Sequence, residues 1–208
     1  SISEMEEMIK NYKPQEDYVE KLSVKSTETL VGEDLNIGIL DLGDSLKIKK
    51  TLSDMGYRVT VFPYKSSAMD IESEKVDGLI ISNGPGSIES LKGLEKTIRE
   101  LAEKKNIFGI GLGHQLIAST FGAKVEKMKY GHRGSNHGVY DLDKNRAYIV
   151  PQNHGYVVNG DSLTETDLLM THKNLNDDTV EGISHKSLKV NSVQFNLEEK
   201  TDLENTSY

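Results

Sequence analysis

The chain has no cysteine and no tryptophan among its 208 residues, four prolines, and an aromatic content of 6%. The missing thiols exclude disulfides, thiolate metal sites and a cysteine nucleophile together. Apolar runs are no longer than a strand, so no segment reads as a membrane-spanning helix. The basic residues form no long run and the formal net charge is -8. That balance lacks the electrostatic footprint of a nucleic-acid binder and disfavours an anionic membrane surface. Ser1 to Glu7 are acidic and lack the apolar centre of a signal peptide. The cytoplasm is therefore the expected compartment, and the absent initiator methionine is read as a truncated or processed start. The length suits one domain with a sizeable core.

What is present is an alternation of strand-like and helix-like segments. Residues 1–34 are polar and read as a remnant or linker, with a short amphipathic helix over Ser3 to Tyr12 capped at Ser3. Residues 35–208 read as one domain. Strands are expected at Asn36–Leu42, Tyr57–Pro63, Gly78–Ser82 and Ile107–Gly111. Helices are expected at Ser45–Met55, Ile88–Lys104 and Gln115–Phe121, with a short segment near Ala68–Glu72. Apolar strands alternating with helices argue a mostly parallel open sheet covered on both faces. After Lys124 six short strand candidates follow: Lys124–Lys129, Gly138–Leu142, Ala147–Val150, Leu168–His172, Val180–His185 and Val190–Phe195. They suggest an antiparallel extension. Ligands of such sheets sit at the carboxyl ends of strands, where Gly84, Gly111 and the residues after Phe195 fall.

The segment from Ile107 to Gln115, IFGIGLGHQ, is the most informative. A buried strand running into a helix holds one residue up on a tight turn, beside the amides of a helix N-terminus. That is the geometry of a nucleophile elbow with its oxyanion donors. The corner residue is Gly111, which has no side chain. Its expected backbone φ is positive, since the corner conformation suits glycine.

The corner resembles that of class I glutamine amidotransferases, with glycine where the family has its cysteine. Further blocks follow in order: Asn83-Gly-Pro-Gly86, the stretch Tyr130 to His137 (YGHRGSNH), Gln152 to Tyr156 (QNHGY), Thr179 to Gly182 (TVEG) and Ser192 to Phe195 (SVQF). Together they resemble the amidotransferase domain of the carbamoyl-phosphate synthase small chain. The resemblance implies a class I glutamine amidotransferase-like, flavodoxin-like fold. It implies a catalytic triad of which Gly111 marks the lost nucleophile, Asn196 the lost base and Glu198 the retained orienting carboxylate. It assigns substrate holding to Gly84, Gly86, Leu112, Gln115, Asn153, Gly155 and Tyr156. Asparagine does not titrate usefully and cannot serve as the base. Leu197 also replaces a family proline, so the pattern reads as drift after loss of activity rather than a single trapping substitution. The expected function is that of a small-chain domain without glutaminase activity. It would serve as partner or scaffold of a large synthetase chain, in pyrimidine or arginine biosynthesis. The alternative is a domain that senses glutamine or another amino acid without cutting it.

Weaker signals point elsewhere. Gly109, Gly111 and Gly113 follow a strand, but their spacing is not that of a dinucleotide loop. His114, His132, His137, His154, His172 and His185 form no helical metal pair, and His132 and His137 are placed on a loop. They are read as solvated or structural, with no metal and no cofactor expected.

Overall fold

The computed structural model describes residues 1–12 and 17–197. Among these, ten strands form one sheet in the order β1-β3-β2-β4-β5-β10-β9-β8-β6-β7. Strands β2 (Asn36–Asp41), β3 (Arg58–Pro63), β4 (Gly78–Ile81), β5 (Asn106–Ile110) and β10 (Val190–Val193) run parallel. Strands β6 (Val125–Asp141), β7 (Arg146–Val158), β8 (Leu168–Asn174) and β9 (Val180–His185) continue from β10 antiparallel. The expected parallel sheet with an antiparallel extension is thus present.

The parallel half is covered on both faces because its strands are apolar on both. In β2, Leu40 joins a core with Leu42, Ile71 of α4 (Ala68–Ser73), Ile98 and Leu101 of α5 (Leu94–Ala102), and Leu116 and Ile117 of α6 (Leu112–Thr120). Its neighbour Ile39 faces the other way, packing with Val59 and Val61 against Ile48 and Leu52 of α3 (Leu46–Asp54). Fully burying each such side chain contributes about 1.5–3 kcal/mol.

The segment before Asn36 is tied to this sheet. Val19 of α2 (Tyr18–Leu22) lies in the main core, Val24 N–H donates to Asp41 Oδ2 at 2.8 Å, and β1 (Glu28–Leu30) pairs with β3. Helix α1 (Ile2–Asn11) is capped by Ser1, whose Oγ accepts from Glu4 N–H, rather than by Ser3 as expected.

Three further expectations need correction. The helix expected over Ile88–Lys104 is a 3-10 turn (Ile88–Leu91) followed by α5, because Gly93 takes φ +99 and breaks the run. Helix α6 begins at Leu112, three residues before the expected start, since Gly113 lies within the helix. The candidates at Lys124–Lys129 and Gly138–Leu142 are one strand, β6, with irregularities between Lys127 and His132 and between Gly134 and His137. His132 and His137 therefore sit on a strand, not a loop.

The β5–α6 corner positions the site. Gly111 has φ +55 and ψ -109, as expected for the elbow. A Cβ there would land on the Asn83 amide. A Cβ on Gly113 would strike the Ile81 carbonyl, so glycine is what lets α6 approach the sheet backbone. Gly111→Ala should lower stability by about 1–3 kcal/mol, read as a fall in melting temperature. Gly113→Ala should cost more, because the Asn83 side chain can swing aside and the Ile81 backbone cannot. The reverse ranking would refute this account of the corner.

Candidate functional site

A cleft of about 550 Å³ opens at the carboxyl ends of β2, β4, β5 and β10, roofed by the β6–β7 hairpin. Gly84, Gly86, Leu112, Gln115, Asn153, Gly155, Tyr156 and Asn196 all line it. Gly111 sits at the end of β5, where its N–H donates to Val193 O at 2.9 Å. Of the described residues that the resemblance assigned to the site, all but Gly111 line this cleft, and Gly111 immediately precedes Leu112. Glu198 lies outside the described residues. A second cavity, about 860 Å³, lies toward the amino ends of the strands and is lined by such side chains as Ile37, Leu79, Ile107 and Phe108. It is remote from the corner.

Asn83 organises the corner, and the sequence reading treated it only as part of a turn motif. Its Oδ1 accepts from Leu112 N–H at 3.0 Å. Its Nδ2 donates to Asn196 Oδ1 at 3.3 Å and to Asp44 Oδ2 at 3.4 Å. One amide therefore joins the first amide of α6, the carboxyl end of β10 and the loop after β2. It stands where the first carbon of a corner side chain would be. The Leu112 N–H, which an oxyanion would need, is already satisfied.

The far wall is held by amides as well. Gln115, 4% exposed, donates from Nε2 to Gln194 Oε1 at 2.9 Å and to Tyr156 O at 3.2 Å. Its own Oε1 is buried without a hydrogen-bond partner. The charged lining consists of Asp44, Lys127 and Arg133, with the imidazole of His154 beside them. Arg133 Nη1 donates to Tyr130 O at 2.6 Å, which holds the guanidinium against its own hairpin. Asp44 and Lys127 were missed because they carry no motif, whereas Arg133 and Gln194 lie inside the YGHRGSNH and SVQF blocks and were given no role. Their membership depends on strand ends meeting.

The histidines divide into two kinds. His114 of α6 is fully buried, paired through Nδ1 with Ser192 Oγ at 2.9 Å, and burial pushes its imidazole down to about 3. It is a neutral structural group. His132, His137 and His154 are drawn together instead, with ring centroids 5.1 and 4.9 Å from that of His132. Strands β6 and β7 bring about a clustering that linear spacing could not reveal.

Comparison with known proteins agrees with this architecture. The family model described as glutamine amidotransferase class-I matches residues 39–208. The carbamoyl phosphate synthase small chain of Clostridium acetobutylicum is 39% identical over the whole chain, which covers 59% of that protein. The small chain of Staphylococcus saprophyticus is 44% identical over 180 residues, 86% of this chain and 49% of that one. The chain thus spans about half to three-fifths of the length of these relatives. A Thermoplasma acidophilum protein described as belonging to a GMP synthase superposes with a TM-score of 0.69 at 23% identity, covering 81% of this chain and 86% of that one. A glutamine amidotransferase of Thermotoga maritima gives 0.61 at 16% identity, covering 80% and 77%. These two likenesses concern the fold. The chain belongs to the class I glutamine amidotransferase family, as a domain of the carbamoyl phosphate synthase small-chain type.

Proposed function

We propose that this domain is a glutaminase-inactive counterpart of the small chain's amidotransferase domain, serving as partner or scaffold of a large synthetase chain that takes free ammonia. The observation that carries the reading is the corner itself. Hydrolysis of a carboxamide through a covalent intermediate needs a nucleophile, a base to deprotonate it and unoccupied donors for the oxyanion. Gly111 offers no nucleophile, Asn196 offers no base, and Asn83 occupies the Leu112 amide. His154, the imidazole lining the cleft among the described residues, uses Nδ1 on Tyr156 O at 2.8 Å and has Nε2 against Gln152 at 2.6 Å. It has no ring nitrogen available to act as a base in the cleft.

A second reading rests on the cleft rather than the corner. A cavity of about 550 Å³ bounded by the anion Asp44, the cations Lys127 and Arg133 and the amides of Asn83 and Asn153 suits a zwitterionic amino acid with a polar side chain. On this reading the domain binds glutamine or a related amino acid and reports it through contacts with a partner. Titration calorimetry with glutamine separates the two: measurable heat favours the sensor, and none favours the scaffold. Co-purification of the native protein with a synthetase large chain tests the partnership directly.

Glutamine incubated with the purified protein should yield no glutamate or ammonia above the buffer control. A rate abolished by Glu198→Ala would overturn the inactive assignment.

Gly111→Cys alone should restore little turnover, because the new side chain meets Asn83 and no base stands at position 196. The thiol, placed at a helix N-terminus, should alkylate slowly with iodoacetamide. Gly111→Cys combined with Asn196→His should give more glutaminase activity than either single change. Equal rates for the single cysteine variant and the double variant would remove Asn196 from the triad.

A further inference from the structure

Beside the cleft, between the β6–β7 hairpin and β9, lies a second polar cluster that the proposed function does not use. At its centre is Glu181, wholly buried. Its Oε1 accepts from Gln152 Nε2 at 2.7 Å and Asn174 Nδ2 at 2.9 Å, and it faces His132 Nδ1 at 3.4 Å. Its Oε2 is buried with no hydrogen-bond partner. A buried carboxylate with an unsatisfied oxygen is costly unless a positive charge compensates it.

The flanking imidazoles are set up in an unusual way. His132 Nε2 is engaged by Asp177 Oδ2 at 2.9 Å, which leaves Nδ1 toward Glu181. His154 Nδ1 is engaged by Tyr156 O at 2.8 Å, which leaves Nε2 on the inner side. Each histidine thus has one nitrogen fixed by a carboxylate or a backbone carbonyl and the other turned inward. That outer-shell pattern orients metal-ligating histidines and sets their tautomer. Gln152, which spends its Nε2 on Glu181, turns Oε1 to His154 Nε2 at 2.6 Å and so joins the same cluster.

We infer that His132 Nδ1, His154 Nε2 and a Glu181 carboxylate oxygen form a binding site for a divalent transition cation of the zinc type, with Gln152 Oε1 as the adjacent fourth donor. The three ligand atoms lie within 4.8 Å of one another. Donors of a tetrahedral zinc at ~2.0–2.1 Å sit about 3.3 Å apart, so the site closes with inward side-chain movements of about an ångström. Two imidazoles and a carboxylate favour zinc over magnesium or calcium, which prefer oxygen alone. Bound there, the ion would staple β6 and β7 to β9, immediately behind Asn153 and Tyr156 in the wall of the cleft.

The test uses the chelator-treated full chain and zinc chloride, with magnesium chloride as comparison. Calorimetry should show one zinc bound per chain and a rise in melting temperature that magnesium does not give. Cobalt(II) added in place of zinc should develop the intense visible absorption of a four- or five-coordinate site, a readout that needs no variant. Glu181→Gln, close in shape, should abolish binding. Asp177→Asn, on the outer side of His132, should weaken it by about 10–100-fold. His185→Ala, a histidine outside the cluster, should leave it unchanged. A chain that takes up no zinc, or zinc uptake that Glu181→Gln leaves intact while His185→Ala removes it, would overturn the site.

Discussion

The structure depends on how closely α6 approaches the sheet. No side chain separates the helix from the backbone at that crossing: Gly113 lies against the Ile81 carbonyl, and Gly109 against both Gly113 and Ile117. This contact brings the first amide of α6 to the carboxyl ends of β4 and β5. From it follow the reach of Asn83 to Leu112, the burial of His114 against Ser192 and the bridge from Gln115 to Gln194 and Tyr156. Widening the crossing by one methyl group would displace all of these partners together, since they share one rigid helix.

The antiparallel half is joined to that core through β10, which pairs with β5 on one side and β9 on the other. The cleft lies across this seam. Its floor is built from ends of the parallel strands, held by apolar packing on both faces. Its roof is a long hairpin, held by its ladder, by the packing of Val139, Tyr148 and Val150 on Val193 and Phe195, and, beside the cleft, by the buried Glu181 network. A charge change near Glu181 would be felt in the cleft through Gln152 and His154 more directly than a change in the core would.

The parallel half was legible in the sequence because its strands are apolar runs bounded by glycine and polar turns, and such runs have few alternative readings. The corner was legible for a different reason: glycine-rich spacing around one helix start has a specific backbone meaning, and the positive φ at Gly111 agrees with it. The hairpin was legible only in pieces, as separate strands, and its continuity was not. Residues from Tyr130 to His137 are polar and include Gly131 and Gly134, a composition typical of loops, yet the ladder to β7 overrides that local preference. The continuous helix expected through Gly93 failed because apolar periodicity alone does not register a left-handed residue. Asn83 and Glu181 were invisible as organisers, because the contacts that tie them to Leu112 and Gln152 each span 29 residues of the chain.

The strain at the corner acts in one direction. At φ +55 every residue with a Cβ costs free energy that glycine does not, so only a requirement for chemistry can hold a side chain there. A lineage freed from that requirement runs downhill to glycine. A side chain introduced at Gly111 is opposed twice over, since it must take up the strain and also displace the Asn83 amide that occupies the space. On the proposed reading, loss of the nucleophile at such an elbow behaves as a ratchet: the step that abolishes turnover makes the protein more stable, and the step that would restore it must first make the protein less so.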